Sequence, residues 1–177
     1  MSDTKNIKVG KEVVQIEAQA VLAIADRIDK QFDSAVCSIL DCKGRLIVLG
    51  VGKSGLISQK IASTMASTGT PAHFVHPGDA FHGDLGMITK NDVVLMISNS
   101  GETHELIQII PSIRKKNVPI IGMVGKENST LYNGVDFILD TSVEREACTL
   151  DLASTASTTA TLALGDALAI ALLETRG

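Results

Sequence analysis

The sequence predicts an α/β fold built on a parallel sheet, and three observations predict it. Short apolar, β-branched runs recur at residues 45–49, 93–97 and 119–124, too short to span a membrane and suited to buried strands. Stretches of helical period separate them, which is the alternation that gives a parallel sheet with right-handed crossovers. Two of the runs end in turns rich in glycine or serine that open into helices, at the carboxyl edge where such sheets take their ligands.

In chain order, a first helix is expected over about Val9–Ile28, with Val14, Ala18, Val21, Ala25 and Ile28 on its apolar stripe. A second, about Phe32–Cys42, ends at Lys43-Gly44, where glycine can take the left-handed cap. The first strand, Arg45–Leu49, runs into Gly50-Val51-Gly52-Lys53-Ser54-Gly55 and a helix from about Leu56 to Thr68. Ala72–His76 is the next strand. His76–Gly86, with a proline and three glycines, reads as a loop. Val93–Ile97, Pro119–Val124 and Asp136–Asp140 complete the strands. A helix carrying Pro111 follows the third strand, with a kink expected. Ser129–Tyr132 is a short helix, and Leu152–Leu173 a long one whose hydroxyl-rich first half suggests polar contacts or subunit packing rather than propensity.

The bulk numbers bound the function. A length of 177 residues fits one domain on the scale of roughly 100–200 residues, and 45% hydrophobic content supplies a core. No uninterrupted apolar run reaches the roughly 18 residues of a bilayer span, and Met1–Lys5 lacks an apolar signal region. A soluble, cytoplasmic protein without a membrane partner is expected. Net charge of −4 and 3% aromatics without tryptophan leave no basic stripe or stacking platform, which argues against a nucleic-acid partner. Cys37, Cys42 and Cys148 are odd in number and lack paired metal-ligand spacing, so buried thiols in a reducing compartment are expected.

Two turns carry the chemistry. Ser98-Asn99-Ser100-Gly101-Glu102-Thr103 crowds three hydroxyls where a helix begins. A cap needs one hydroxyl; three, with free amides and the helix dipole, suit an oxyanion such as phosphate. The turn holds no Lys or Arg, so positive charge must come from elsewhere. The Gly50–Gly55 turn matches G-x-G-x-x-G and contains Gly-Lys-Ser. A P-loop fails, because its first glycine would fall at Ile47, inside the strand. A dinucleotide site lacks the acid after the next strand. Glycines that bring backbone amides to a small anion, with Lys53 supplying charge, fit best. His76, Asp79, His82 and Asp84 share the next loop, but their spacing matches no metal motif.

Taken together, Gly50–Gly55, His82-Gly83-Asp84-Leu85-Gly86, Ser98–Thr103 and Glu144-Arg145-Glu146-Ala147-Cys148 resemble the sugar isomerase (SIS) domain, and within it the arabinose 5-phosphate isomerases. The resemblance runs from about Val9 to the C-terminus. It implies a three-layer α/β/α sandwich around a five-stranded parallel sheet. The implied activity is reversible conversion of D-ribulose 5-phosphate to D-arabinose 5-phosphate, at the start of Kdo synthesis for lipopolysaccharide, with no metal or organic cofactor. A homotetramer with sites shared between adjacent subunits is also implied. By motif position the resemblance implies Gly52, Ser54, Ser98, Ser100 and Thr103 as substrate-binding residues, with Ser54, Ser98, Ser100 and Thr103 gripping the phosphate. Lys53, His82, Glu105 and Glu146 are the catalytic candidates, with Glu146 as enediol base and Glu105 as second candidate or orienting group. His82 assists ring opening or shuttles a hydroxyl proton, and Lys53 offsets phosphate or enediolate charge. Full-length relatives continue with a His-Pro-Gly-Gly segment and paired CBS domains, so the expectation over residues 1–177 is a single SIS domain. The alternative is a non-catalytic sugar-phosphate sensor, against which stand Glu105 and Glu146, since phosphate binding alone requires neither.

Overall fold

The computed structural model describes residues 4–81, 84–150 and 152–177. Its strands are β1 (Leu46–Gly50), β2 (Ala72–Val75), β3 (Val93–Ser98), β4 (Ile120–Val124) and β5 (Phe137–Asp140). All pair in parallel, in the order β2-β1-β3-β4-β5. Leu95 of β3 lies in register between Val48 of β1 and Ile121 of β4. Every residue of β1, β3 and β4 is buried, because helices cover both faces.

The helices are α1 (Lys5–Ala25), α2 (Lys30–Asp41), α3 (Gly52–Ser67), α4 (Pro77–Phe81), α5 (His104–Arg114), α6 (Thr130–Gly134) and α7 (Ala156–Arg176). On one face Val48, Leu95, Ile121 and Leu139 pack with residues of α1, α2, α3 and α7. On the other, Leu49, Met96 and Ile120 meet Leu106, Ile109 and Ile113 of α5 and Leu131 of α6. This is the three-layer α/β/α sandwich with a five-stranded parallel sheet. The order of connection reverses between β1 and β3: α3 leaves β1 over one face and α5 leaves β3 over the other. Ligands of open α/β sheets bind at that reversal.

Several expected elements shift. α1 buries Ile16, Ala20 and Ile24, not the expected stripe, and Val14 is 68% exposed. The helix is apolar on two sides, so periodicity admits two stripes, and the position of α7 selects one. Of the glycines read as a turn, Gly50 ends β1 while Gly52 and Gly55 lie in the first turn of α3; Gly52 itself has φ +60°, a conformation glycine adopts without steric cost. Within the expected loop at 76–86, Pro77 opens α4, where its missing N–H costs nothing. Cys37 is exposed, and Cys42 and Cys148 are half-buried, which corrects the expectation of three buried thiols. α7 is long and apolar enough to cross a membrane, but half of its most apolar 18-residue stretch is buried.

α3 and α7 run side by side in the same direction. Lys60 Nζ lies 2.5 Å from Asp166 Oδ1, and further along Arg176 Nη1 donates to Thr70 Oγ1 at 2.6 Å. Beside the first of these contacts a methyl on Gly165 would overlap the side chain of Ile61.

Candidate functional site

The site is built from helix N-termini at the carboxyl ends of β1 and β3. α3 starts directly after β1, and Val51 at its N-cap provides no side-chain cap. The first-turn amides of Gly52, Lys53 and Ser54 therefore have no intrahelical acceptor. α5 starts after β3, and its N-cap Thr103 likewise makes no side-chain cap. Two uncapped positive dipole ends thus sit beside each other at the sheet edge, an arrangement that favours an anion.

The Ser98–Thr103 turn is shaped from inside. Ser98 is buried, accepts Gly101 N–H at 3.0 Å and lies 2.8 Å from Thr103 Oγ1. If Ser98 donates in that pair, the Thr103 hydroxyl hydrogen is free to point outward. Ser100 is exposed, and its Oγ accepts Glu102 N–H at 3.2 Å, which leaves its own hydroxyl hydrogen to donate. Ser100 therefore has a hydroxyl hydrogen to donate outward, and Thr103 has one when Ser98 is the donor of their pair. Ser98, expected to bind the substrate, also fastens the turn from inside.

A small pocket joins the two turns. Ser54 of α3 and Asn99 of the serine turn line it together with Ser154, Ser157 and Thr158 at the start of α7. The third helix N-terminus was not read from sequence, although the hydroxyl-rich first half of α7 was its signal.

Glu146 explains how α7 is held there. Its Oε2 accepts Thr155 N–H at 2.8 Å, Thr155 Oγ1–H at 3.0 Å and Ser157 N–H at 3.2 Å, and its Oε1 accepts the Ser157 hydroxyl. Ala147 N–H donates back to Thr155 Oγ1 at 2.9 Å. Burial alone would raise the Glu146 pKa, but the hydrogen bonds from Ser157 and Thr155 outweigh it and hold the carboxyl below its ordinary value. A carboxylate with four donors is a cap and a weak base.

Glu105 differs. It is exposed in the first turn of α5, two residues beyond Thr103, and its side chain has no partner among the described residues. Lys53 is exposed in the first turn of α3, and its side chain also has no partner among them. His82 lies outside the described residues. His76 is exposed, and its Nδ1 accepts Gly78 N–H at 3.1 Å.

A family profile described as "SIS domain" matches residues 39–171. The chain is 51% identical over 170 residues to the arabinose 5-phosphate isomerase KdsD of Yersinia pestis, covering 96% of this chain and 52% of that protein. It is 51% identical over 171 residues to the protein of the same name from Pseudomonas aeruginosa, covering 97% and 52%. It thus spans about half the length of the curated relatives it matches. Among solved structures, an Escherichia coli CFT073 protein in complex with arabinose 5-phosphate superposes with a TM-score of 0.93 at 41% identity, covering 99% of this chain and 94% of that one.

Proposed function

Since the chain belongs to the SIS domain family, we propose that it is the isomerase domain of a cytoplasmic arabinose 5-phosphate isomerase, interconverting D-ribulose 5-phosphate and D-arabinose 5-phosphate for Kdo synthesis. The observation that carries this reading is the pair of helix starts without side-chain caps, α3 after β1 and α5 after β3, side by side where the order of the sheet reverses, an arrangement that suits a small anion. The names of the relatives supply the pentose.

In the reaction, Ser100, Thr103 and Ser54 donate hydroxyl hydrogens to the phosphate, with the amides of Gly52–Ser54 and the α5 first turn behind them. Lys53 supplies the positive charge that the serine turn lacks. The isomerisation moves one proton between carbons and one between oxygens. A carboxylate takes a proton from C1 of the ketose, the C1–C2 enediol forms as O2 gains a proton, and the same carboxylate returns its proton to C2 as O1 loses one. Glu105 is assigned as that base, because it stands unpartnered beside the phosphate turn. Glu146 is reassigned from base to the group that fixes the start of α7. His82 retains the ring-opening and hydroxyl-proton role. Assembly is a homotetramer with shared sites, supported by the exposed apolar residues Val14 and Leu22 on the outer side of α1.

The test is a coupled turnover assay on ribulose 5-phosphate, beside thermal shifts with arabinose 5-phosphate, ribulose 5-phosphate, fructose 6-phosphate and NAD. Turnover together with stabilisation by both pentose phosphates is expected. Stabilisation without turnover would make the chain a sensor, and stabilisation by NAD alone would overturn the phosphate reading.

A further inference from the structure

Of the polar side chains of the Ser98–Thr103 turn, the reaction just described uses Ser100 and Thr103, Ser98 shapes the turn from inside, and Asn99 and Glu102 have no role yet. Glu102 points away from the pocket, toward α6. Its Oε1 accepts Thr130 N–H at 2.7 Å, across 28 residues of chain. Beside it, the Gly101 carbonyl accepts Leu131 N–H at 3.0 Å. Gly101 itself has φ +66° and presses so closely on Ser129 that a methyl there would overlap the serine hydroxyl. Two successive residues of the turn are thus fastened to the first turn of α6, which Ser129 caps by accepting Tyr132 N–H. Among the described residues no comparable contact holds Ser100, which is exposed.

From this arrangement we infer that Glu102 is a positioning residue for phosphate binding: its carboxylate clamps the serine turn onto α6 so that the hydroxyls of Ser100 and Thr103 keep their outward aim before substrate arrives. The inference rests on the phosphate reading above. Its physical basis is pre-organisation, since a turn already held in place loses less freedom on binding. A hydrogen bond to an ionised acceptor is about twice as strong as a neutral one. The ionised form also explains why an acid is used near an anion site. The α6 amide faces it, and Lys126 adds positive charge nearby.

Three variants separate the clamp from other roles. Glu102→Ala removes the acceptor. Glu102→Gln keeps an acceptor and removes the charge. Thr130→Pro removes the donor from the far side, at a residue that touches no substrate. Proline is tolerated at the first position of a helix, and Ser129, at φ −74° and ψ 166°, already has the extended conformation required before proline.

Glu102→Ala and Thr130→Pro are each expected to raise KM for ribulose 5-phosphate about 10-fold, with kcat within about 3-fold. The double variant should be no worse than either single one, because both break the same bond. Glu102→Gln should fall between wild type and Glu102→Ala. Inorganic phosphate binding, followed by calorimetry, should weaken in parallel, and it reads the clamp even if the wild-type chain shows no turnover. Unchanged KM and phosphate affinity in both Glu102→Ala and Thr130→Pro would overturn the inference. So would a fall in kcat at constant KM, which would place Glu102 at the reacting carbons.

Discussion

Replacing Glu146 by glutamine separates a cap from a base with one atom exchanged. In the wild-type chain Oε2 receives three donors and Oε1 one. In Glu146→Gln one carboxylate oxygen becomes an NH2 group. If the NH2 takes the Oε2 position, three donors face a donor; if it takes the Oε1 position, the Ser157 hydroxyl must turn. The second arrangement is cheaper and keeps three bonds, now to a neutral acceptor. A hydrogen bond to a charged group contributes roughly 1.5–3 kcal/mol against 0.5–1.5 for a neutral one. Weakening three such bonds in a half-exposed site therefore costs about 2 kcal/mol. For a chain of this length that corresponds to a fall in Tm of roughly 4–8 °C. Ser157 lines the pocket beside Ser54 and Asn99, so on the proposed function KM should rise several-fold while kcat stays within about 10-fold. Differential scanning calorimetry and steady-state kinetics on one preparation read both quantities. A loss of kcat by 10³ or more at unchanged Tm and KM would refute the reasoning and return Glu146 to the role of base.

Other consequences follow from the same geometry. Glu105→Gln should lower kcat by about 10²–10⁴ and leave Tm within about 1 °C, measured in the same assays. Gly101→Ala combines a left-handed backbone with overlap onto Ser129, so it should destabilise the chain by about 1–3 kcal/mol, read by urea unfolding, and weaken phosphate binding. Ser98→Ala leaves the buried Gly101 N–H unpaired, at a cost of about 1–3 kcal/mol, with KM rising more than kcat falls. The folded-state pKa of Glu146 lies below its unfolded value, so its contribution is complete above the unfolded pKa of about 4.3 and is lost as pH falls through the lower folded value. The Tm difference between wild type and Glu146→Gln should be constant from pH 7 to about 5 and shrink below about 4.

The sheet was legible because its central strands are buried on both faces: Val93–Ile97 and Ile120–Val124 had to be apolar at every position, which leaves an unbroken run to read. The two turns were legible for a different reason, since glycines and hydroxyls concentrated at strand ends have few other uses. What sequence did not disclose depends on neighbours. Val14 and Ile16 are equally apolar, and only the position of α7 decides which is covered. The hydrogen bonds that hold Glu146 were equally hidden, because its partners Thr155 and Ser157 lie 9 and 11 residues away at the start of a helix that begins later than its pattern suggested. His82, singled out by its motif, lies outside the described residues.

The close approach of Gly165 to Ile61 has a consequence at a distance. α3 and α7 begin at opposite walls of the pocket, with Ser54 on one and Ser157 on the other, and about two turns down they touch where Gly165 has no side chain. That absent methyl works as a spacer of zero thickness in a pair of tongs. Any larger residue there would spread the arms and alter the width of the opening at their tips, so the gap between Ser54 and Ser157 is gauged by a residue that does not line it.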